Sequence, residues 1–317
     1  MRVVSLLPSA TEIICALGAG QDLIGVSHEC DHPPEVAGLP ALTSSRLPPG
    51  GTSGELDRSV RGLLRAALAI YDLDVDLLAE LEPDLVVTQD LCEVCAVSYR
   101  SVCAAADQLA GRPVTVVSLH PQRLDDILGD IGRVAAALGR PGDGEALGAG
   151  LRGRLEEVAG QAAAAPDRPR VVSIEWLEPV MLGGTWMPEL IAAAGGTPLG
   201  VSAGQRAPTL DRAALERLEP EVVVVKPCGF RVERTLAELE LLARVLPWDS
   251  WPAVRAGRVY VADGNAYFNR SGPRIVDSAE LLAACLHPQR FPGHLARYQE
   301  AVRRVDADLE VHDWGVA

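Results

Sequence analysis

In the stretch QDLCEVCA, Cys92 and Cys95 stand three positions apart, directly after the apolar run from Asp84 to Thr88. A pair so spaced can serve as a redox dithiol, as half of a zinc site or as part of an iron–sulfur site. Two further cysteines, Cys30 and Cys228, also follow apolar runs, in SHECDH and KPCGF. Thiolates hold zinc tetrahedrally or bind an iron–sulfur cluster, and either arrangement uses four protein ligands. The sequence therefore predicts a metal site, zinc or a 4Fe-4S cluster, made by Cys30, Cys92, Cys95 and Cys228. His28 and His32 flank Cys30 as alternative ligands. A dithiol stays open, because a helix over AVSYRSVCAAADQL would set its N-terminus beside Cys92 and Cys95 and favour a thiolate there. The other three of the seven cysteines, Cys15, Cys103 and Cys285, sit inside helical patterns and read as small packing residues. An odd cysteine count argues against a disulfide framework.

A second constellation is aromatic. Only 4% of the chain is Phe, Trp or Tyr, yet Trp176, Trp186, Phe230, Tyr267 and Phe268 all fall in loops expected after strands or at the helix start beside them. Such rings suit a broad, flat, mostly apolar ligand, with Asn265, Asn269, Arg270 and Arg274 available for its amides or carboxylates. The loop acids Glu29, Asp31, Asp90, Glu93, Glu175 and Asp263 offer general acid–base chemistry, but read mostly as solvated or capping carboxylates. Lys226 is the only lysine, which reads as codon bias. Phosphate-loop, dinucleotide, HExxH and nucleophile-elbow motifs are missing from the sequence.

The elements that must position these residues alternate between short Val/Leu-rich runs and amphipathic stretches. VVSLL leads into SATEIICALG, where Ser9 and Glu12 have the spacing of a capping box. DLVVTQ, VTVVSL, VVSIEW, EVVVVK and RVYVAD read as strands covered on both faces, as in a parallel sheet. After VTVVSL, Leu124, Ile127, Leu128, Ile131 and Val134 share one helical face. Leu147, Leu151, Leu155 and Val158 mark a long helix. The fold class is α/β: two Rossmann-like lobes with parallel sheets joined by one long helix. The expected boundaries are a lobe over 1–141, a spine helix over 142–166, a second lobe over 167–290 and a tail over 291–317. In open α/β sheets, ligands bind at the carboxyl ends of the strands, where the four loop cysteines and the aromatics are expected.

The net charge of -14 would repel nucleic acid and anionic lipid surfaces, so neither is expected as a partner. No run reaches the ~20 apolar residues of a membrane span. Pro8, Ser9, Thr11 and Glu12 interrupt the first apolar stretch before it could act as an export signal, so the expected location is cytoplasmic.

The segments RVVSLLPSATEIICALG, LIGVSHECDHPPEV, the spine helix, IEW and GRVYVADGNAYFNRSGPRIVDSAELLAACLHP together resemble the BtuF-like cobalamin-binding proteins. These belong to the helical-backbone class (class III) of substrate-binding proteins that serve vitamin B12 and siderophore importers. The resemblance covers Arg2 to Pro288. It implies two lobes, an interlobe helix and a corrinoid-sized cleft lined by aromatic residues. Matching the loops puts Trp176, Trp186, Tyr267 and Phe268 near that cleft, with Pro8 and Ser9 on the opposite wall. HEC, CEVC and PCGF resemble a cytosolic branch of this group.

The expected function is a non-catalytic cytosolic binding protein for a corrinoid (cobalamin-like) or similar large molecule, with the four-cysteine site at the cleft. Its expected ligand-binding residues are Pro8, Ser9, Trp176, Trp186, Phe230, Asn265, Tyr267, Phe268 and Arg270. The rival expectation is a redox enzyme that uses a cysteine-ligated iron–sulfur cluster on a substrate in the cleft. No protein partner is identified from the sequence.

Overall fold

The structure, a computed structural model, describes residues 1–48, 50–66, 69–90, 99–108 and 113–314. Two compact units divide the chain. Unit 1 comprises Met1–Gly51, Glu55–Pro121 and Asp125–Arg152, and unit 2 comprises Thr52–Gly54, Gln122–Leu124 and Gly153–Ala317.

The first half of the chain carries β1 (Val3–Ser5), α1 (Pro8–Ala16), β2 (Leu23–Val26), β3 (Thr43–Ser45), α2 (Ser53–Arg65) and β4 (Tyr71–Leu73). It continues through α3 (Val75–Glu80), β5 (Leu85–Gln89), α4 (Tyr99–Gln108), β6 (Thr115–Leu119), α5 (Leu124–Ala137) and α6 (Pro141–Ala163). The main sheet of unit 1 has the order β2-β1-β5-β6, with every neighbouring pair parallel. β1 and β5 are buried along their whole length, which is why they read as unbroken apolar runs. Val4, Leu6, Val86, Leu78 and Val102 form a core on this sheet.

α1 begins differently from the expected capping box. Pro8 occupies the first turn, Leu7 is the N-cap, and no side chain caps the helix. Proline supplies a preset φ and has no N–H to leave unsatisfied, so the start needs no Ser9–Glu12 exchange. In α5 the expected apolar face is present: Ile127, Ile131 and Val134 are fully buried. Asp130 shares that burial at 1% exposure. Desolvation raises its pKa in spite of the ion pair with Arg133.

α6 spans 23 residues, about 35 Å at 1.5 Å per residue. Leu151, Val158 and Ala162 are its buried stripe. Arg154, beside that stripe at three residues from Leu151 and four from Val158, donates from Nη2 to Asp277 Oδ1 at 2.6 Å and from Nε to Glu280 Oε1 at 3.0 Å.

The second half carries β7 (Arg170–Trp176), β8 (Met181–Leu182), α7 (Met187–Ala193), β9 (Thr197–Pro198), α8 (Arg212–Glu216), β10 (Val222–Val225) and α9 (Val232–Leu236). There follow α10 (Leu239–Val245), α11 (Pro252–Arg255), β11 (Val259–Ala262), α12 (Ile275–Leu286), α13 (Pro292–Arg297), β12 (Val302–Val305) and β13 (Val311–Asp313). The sheet order is β13-β12-β11-β10-β7-β8, with β9 also on β7. Its centre, β11-β10-β7, is parallel, while β8, β12 and β13 are antiparallel additions. The four valines of β10 are fully buried, and each contributes about 1.5–3 kcal/mol relative to exposure. Trp251, 1% exposed, closes the core beside them and satisfies its Nε1 on Leu215 O at 3.1 Å.

Two short strands of the segment expected as a tail, β12 and β13, are part of this sheet. β12 pairs with β11 through Val302–Ala262 and Val305–Val259, and both valines are fully buried. The two-residue period puts Val302 and Val305 on opposite faces of the sheet, and both are buried, so the strand is covered on both sides and extends the sheet.

Candidate functional site

β7, β10 and β11 are adjacent and parallel, so the loops leaving their carboxyl ends converge at one edge of unit 2. Each contributes one member of a polar cluster. Lys226, directly after β10, is fully buried. Its Nζ donates to Glu175 Oε2 at 2.9 Å, at the end of β7, and to Asn269 Oδ1 at 2.8 Å, in the loop after β11. Asn269 in turn donates from Nδ2 to Gly264 O at 2.9 Å and Lys226 O at 3.2 Å, which fixes the orientation of its amide. Glu175 reaches outward: its side chain is 27% exposed. Among the described residues its Oε1 accepts no hydrogen bond.

The backbone around this cluster is close-packed. A Cβ on Gly264 would lie 2.1 Å from Pro227 O, so only glycine fits. Phe230 O accepts from the N–H groups of Gly264 at 2.9 Å and Asn265 at 3.1 Å, and Cys228 N donates to Glu175 O at 3.1 Å. These bonds join all three loops. Asp263 Oδ1 accepts from the N–H groups of Asn265 and Ala266, a local turn device.

The predicted aromatic residues separate into two groups. Half-buried Trp176 packs on Phe230 with centroids 5.2 Å apart, and the Arg234 guanidinium lies 4.5 Å from the Phe230 centroid on its face. Trp176 Nε1 is buried with no hydrogen-bond partner among the described residues. Half-buried Tyr267 meets Tyr298 edge-on at 5.9 Å, and burial pushes its phenol pKa up.

Trp186 and Phe268 are 7% and 0% exposed, as buried as Phe230 at 6% and unlike Trp176 and Tyr267, and Trp186 Nε1 donates to Phe268 O at 2.8 Å. Phe268 adopts φ of 63° and donates its N–H to Ser278 Oγ at 2.9 Å. This pair pins the loop into the interior of unit 2 and offers a ligand little ring surface. Arg270, 8% exposed, donates to Asn265 Oδ1 at 3.3 Å.

In unit 1, Ser9 is buried and Pro8 half-buried at the start of α1. Cys30 is 8% exposed, with its Sγ 3.1 Å from Thr11 Oγ1. Its neighbour His28 is bound to Thr43 Oγ1 at 2.7 Å through Nδ1 and tilts against Tyr71. Cys92 and Cys95 lie outside the described residues. Cys228 is exposed, in unit 2. Of the cysteines read as packing residues, Cys285 is fully buried and burial raises its pKa strongly, while Cys15 is partly buried with a smaller rise from the same cause.

Among the described residues, one group of three side chains has metal-ligand spacing: Asp306, Glu310 and His312, in the β12–β13 hairpin. The Asp306–His312 contact of 2.7 Å serves to close that hairpin.

Sequence reasoning missed Lys226 and Glu175 as a unit. The available signal was the position of the sole lysine, immediately after four valines, where an ammonium must be buried and therefore paired.

A profile of the periplasmic binding protein family matches residues 3–266. The vitamin B12-binding protein of Pectobacterium atrosepticum is 22% identical over 291 residues, covering 90% of this chain and 88% of that protein. An uncharacterized ABC transporter substrate-binding lipoprotein of Bacillus subtilis is 23% identical, covering 92% of this chain and 81% of its own length. Among solved structures, the periplasmic heme-binding protein RhuT from Roseiflexus sp. RS-1, in its apo form, superposes with a TM-score of 0.69 at 24% identity, covering 91% of this chain and 98% of that one. With most of its length matched by the family profile and a class III fold shared with these structures, the chain belongs to the periplasmic binding protein family.

Proposed function

We propose that this protein is a substrate-binding protein for a large tetrapyrrole-derived ligand, with a corrinoid as the first choice. The observation that carries the reading is the carboxyl edge of unit 2, where half-buried Trp176, packed on Phe230, adjoins the outward carboxylate of Glu175. Rings of this kind suit a flat macrocycle, and fixed polar atoms beside them suit its fringe. Relatives that bind vitamin B12 and heme support the ligand class. Titration with cyanocobalamin and, separately, hemin, read by tryptophan fluorescence and calorimetry, tests it. Saturable one-to-one binding of at least one is expected, and no binding of either overturns the reading.

Three finer parts belong to this proposal. Cys30, Cys92, Cys95 and Cys228 hold a zinc ion or an iron–sulfur cluster; the support is that Cys30 and Cys228 each follow a parallel strand at its carboxyl end. Metal analysis and visible spectra after anaerobic purification test this, and a colourless, metal-free protein removes it. The protein resides in the cytoplasm; the support is the resemblance of HEC, CEVC and PCGF to a cytosolic branch of this group. Its protein partner is a membrane transporter component, supported by the transporter-associated lipoprotein relative and in place of the expected independence from membranes. Cell fractionation and co-purification with a permease decide these last two.

A further inference from the structure

We infer that Glu175, held by Lys226, is the selector of ligand fringe at the unit 2 edge: it accepts a hydrogen bond from amide-bearing macrocycles and rejects carboxylate-bearing ones. The inference rests on the tetrapyrrole reading above and deepens it. Lys226 is fully buried and gives its charge inward, to Glu175 Oε2 at 2.9 Å and Asn269 Oδ1 at 2.8 Å. What the pair shows to solvent is therefore a carboxylate, with Oε1 open to a donor and a side chain 27% exposed.

The pair is neutral as a whole, yet its outer face is acceptor-only. A primary amide N–H meets that face with a charge-assisted hydrogen bond, whereas a propionate meets it with like charge. The position is held by hydrogen bonds and close packing: Asn269 Nδ2 is fixed by two backbone carbonyls, and Gly264 lies so near Pro227 O that a side chain there would clash. Lys226 is thus a positioning residue, and Glu175 is the group that touches ligand. A carboxylate fringe would instead need cations from the same loops, such as Arg231 or Arg274.

Corrinoids separate fringe from ring. Cobinamide carries amides where cobyrinic acid carries carboxylic acids on the same macrocycle, so the ratio of their affinities reads the selector directly. The wild-type protein is expected to prefer dicyanocobinamide over dicyanocobyrinic acid by about 10- to 100-fold, the worth of one charge-assisted hydrogen bond. Glu175→Gln offers Oε1 to Lys226 and turns an amide donor outward, so the preference falls toward unity.

The double variant Glu175→Gln with Lys226→Met removes the ion pair together with its buried charge and is expected to fold with unchanged circular dichroism. It should lose the same preference, which separates selection from folding. An equal affinity of the wild type for the two corrinoids, or a preference that survives in both variants, overturns the inference. Binding of hemin without either corrinoid overturns it too, yet leaves the tetrapyrrole reading in place. Binding of no macrocycle removes both.

Discussion

Unit 2 contains two charged clusters with reversed burial. In the first, the cation is inside and the carboxylate outside: Lys226 is 0% and Glu175 27% exposed. In the second, the carboxylate is inside: Glu280 is 6% exposed, while its partners Arg154 and Arg297 are 35% and 56% exposed. The second cluster ties three helices together, since Arg154 lies on α6, Glu280 on α12 and Arg297 on α13, and Tyr298 adds a 2.5 Å bond from its hydroxyl to Glu280 Oε2. The first joins the ends of strands. The inner charge of each cluster is fixed by the fold, and the outer charge is what solvent or a ligand meets. The helix cluster shows redundant arginines and reads as a fastening. The strand cluster shows one carboxylate and reads as a contact.

Removing the outer group should separate the two most sharply. Glu175→Ala strands a fully buried ammonium with Asn269 alone, and a stability loss of about 3–5 kcal/mol is expected in urea unfolding. Arg154→Met should cost only about 1–2 kcal/mol, because Arg297 and His294 still face Glu280. Equal losses would erase the distinction between the clusters.

The inner carboxylate sharpens the comparison through pH. Burial opposes the charge of Glu280, but hydrogen bonds from Tyr298 and Arg154 and the fields of Arg154 and His294 outweigh it and hold the pKa below the ordinary 4.5. Asp277 is the other carboxylate in contact with Arg154 and Tyr298. A carboxyl with a lowered folded-state pKa stabilises fully above its unfolded value, and that contribution is lost as pH falls through the folded value. Thermal melts of the wild type should therefore drop as pH falls below about 4.5, and Glu280→Gln should flatten that acid limb while lowering the melting temperature at neutral pH. An unchanged acid limb would show that the inner charge is not what holds the helices.

The smallest effect is expected where no charge is involved. Thr11→Val removes the 2.8 Å bond to Ser5 Oγ and the contact with Cys30 Sγ in unit 1, for about 1 kcal/mol by the same unfolding measurement. A larger loss would mean that the neutral edge of unit 1 is as demanding as the ionic edge of unit 2.

The strands and the long helix were legible in the sequence because they depend on local pattern. VVVV at 222–225 can only be a strand covered on both faces, and Leu151 and Val158 fall on the buried stripe of α6. β12 was hidden because four residues with two arginines carry too little apolar signal to separate a strand from a tail. The aromatic loops were legible as loops, but not as exposed or buried. Nothing local distinguishes Trp176, half-buried at the edge, from Trp186, whose indole is satisfied by a carbonyl 82 residues away. Lys226 was misread for the same reason: its partners lie 51 and 43 residues distant, and burial of an ammonium is a property of those partners.

The seclusion of Lys226 has a practical corollary. Reagents that acylate primary amines find no accessible lysine in the folded chain, because its one ε-amino group is shut inside unit 2. Acylation of that nitrogen must await opening of the sheet edge, so its rate times the breathing of that edge. A bound ligand that stitches the three loops together should slow it.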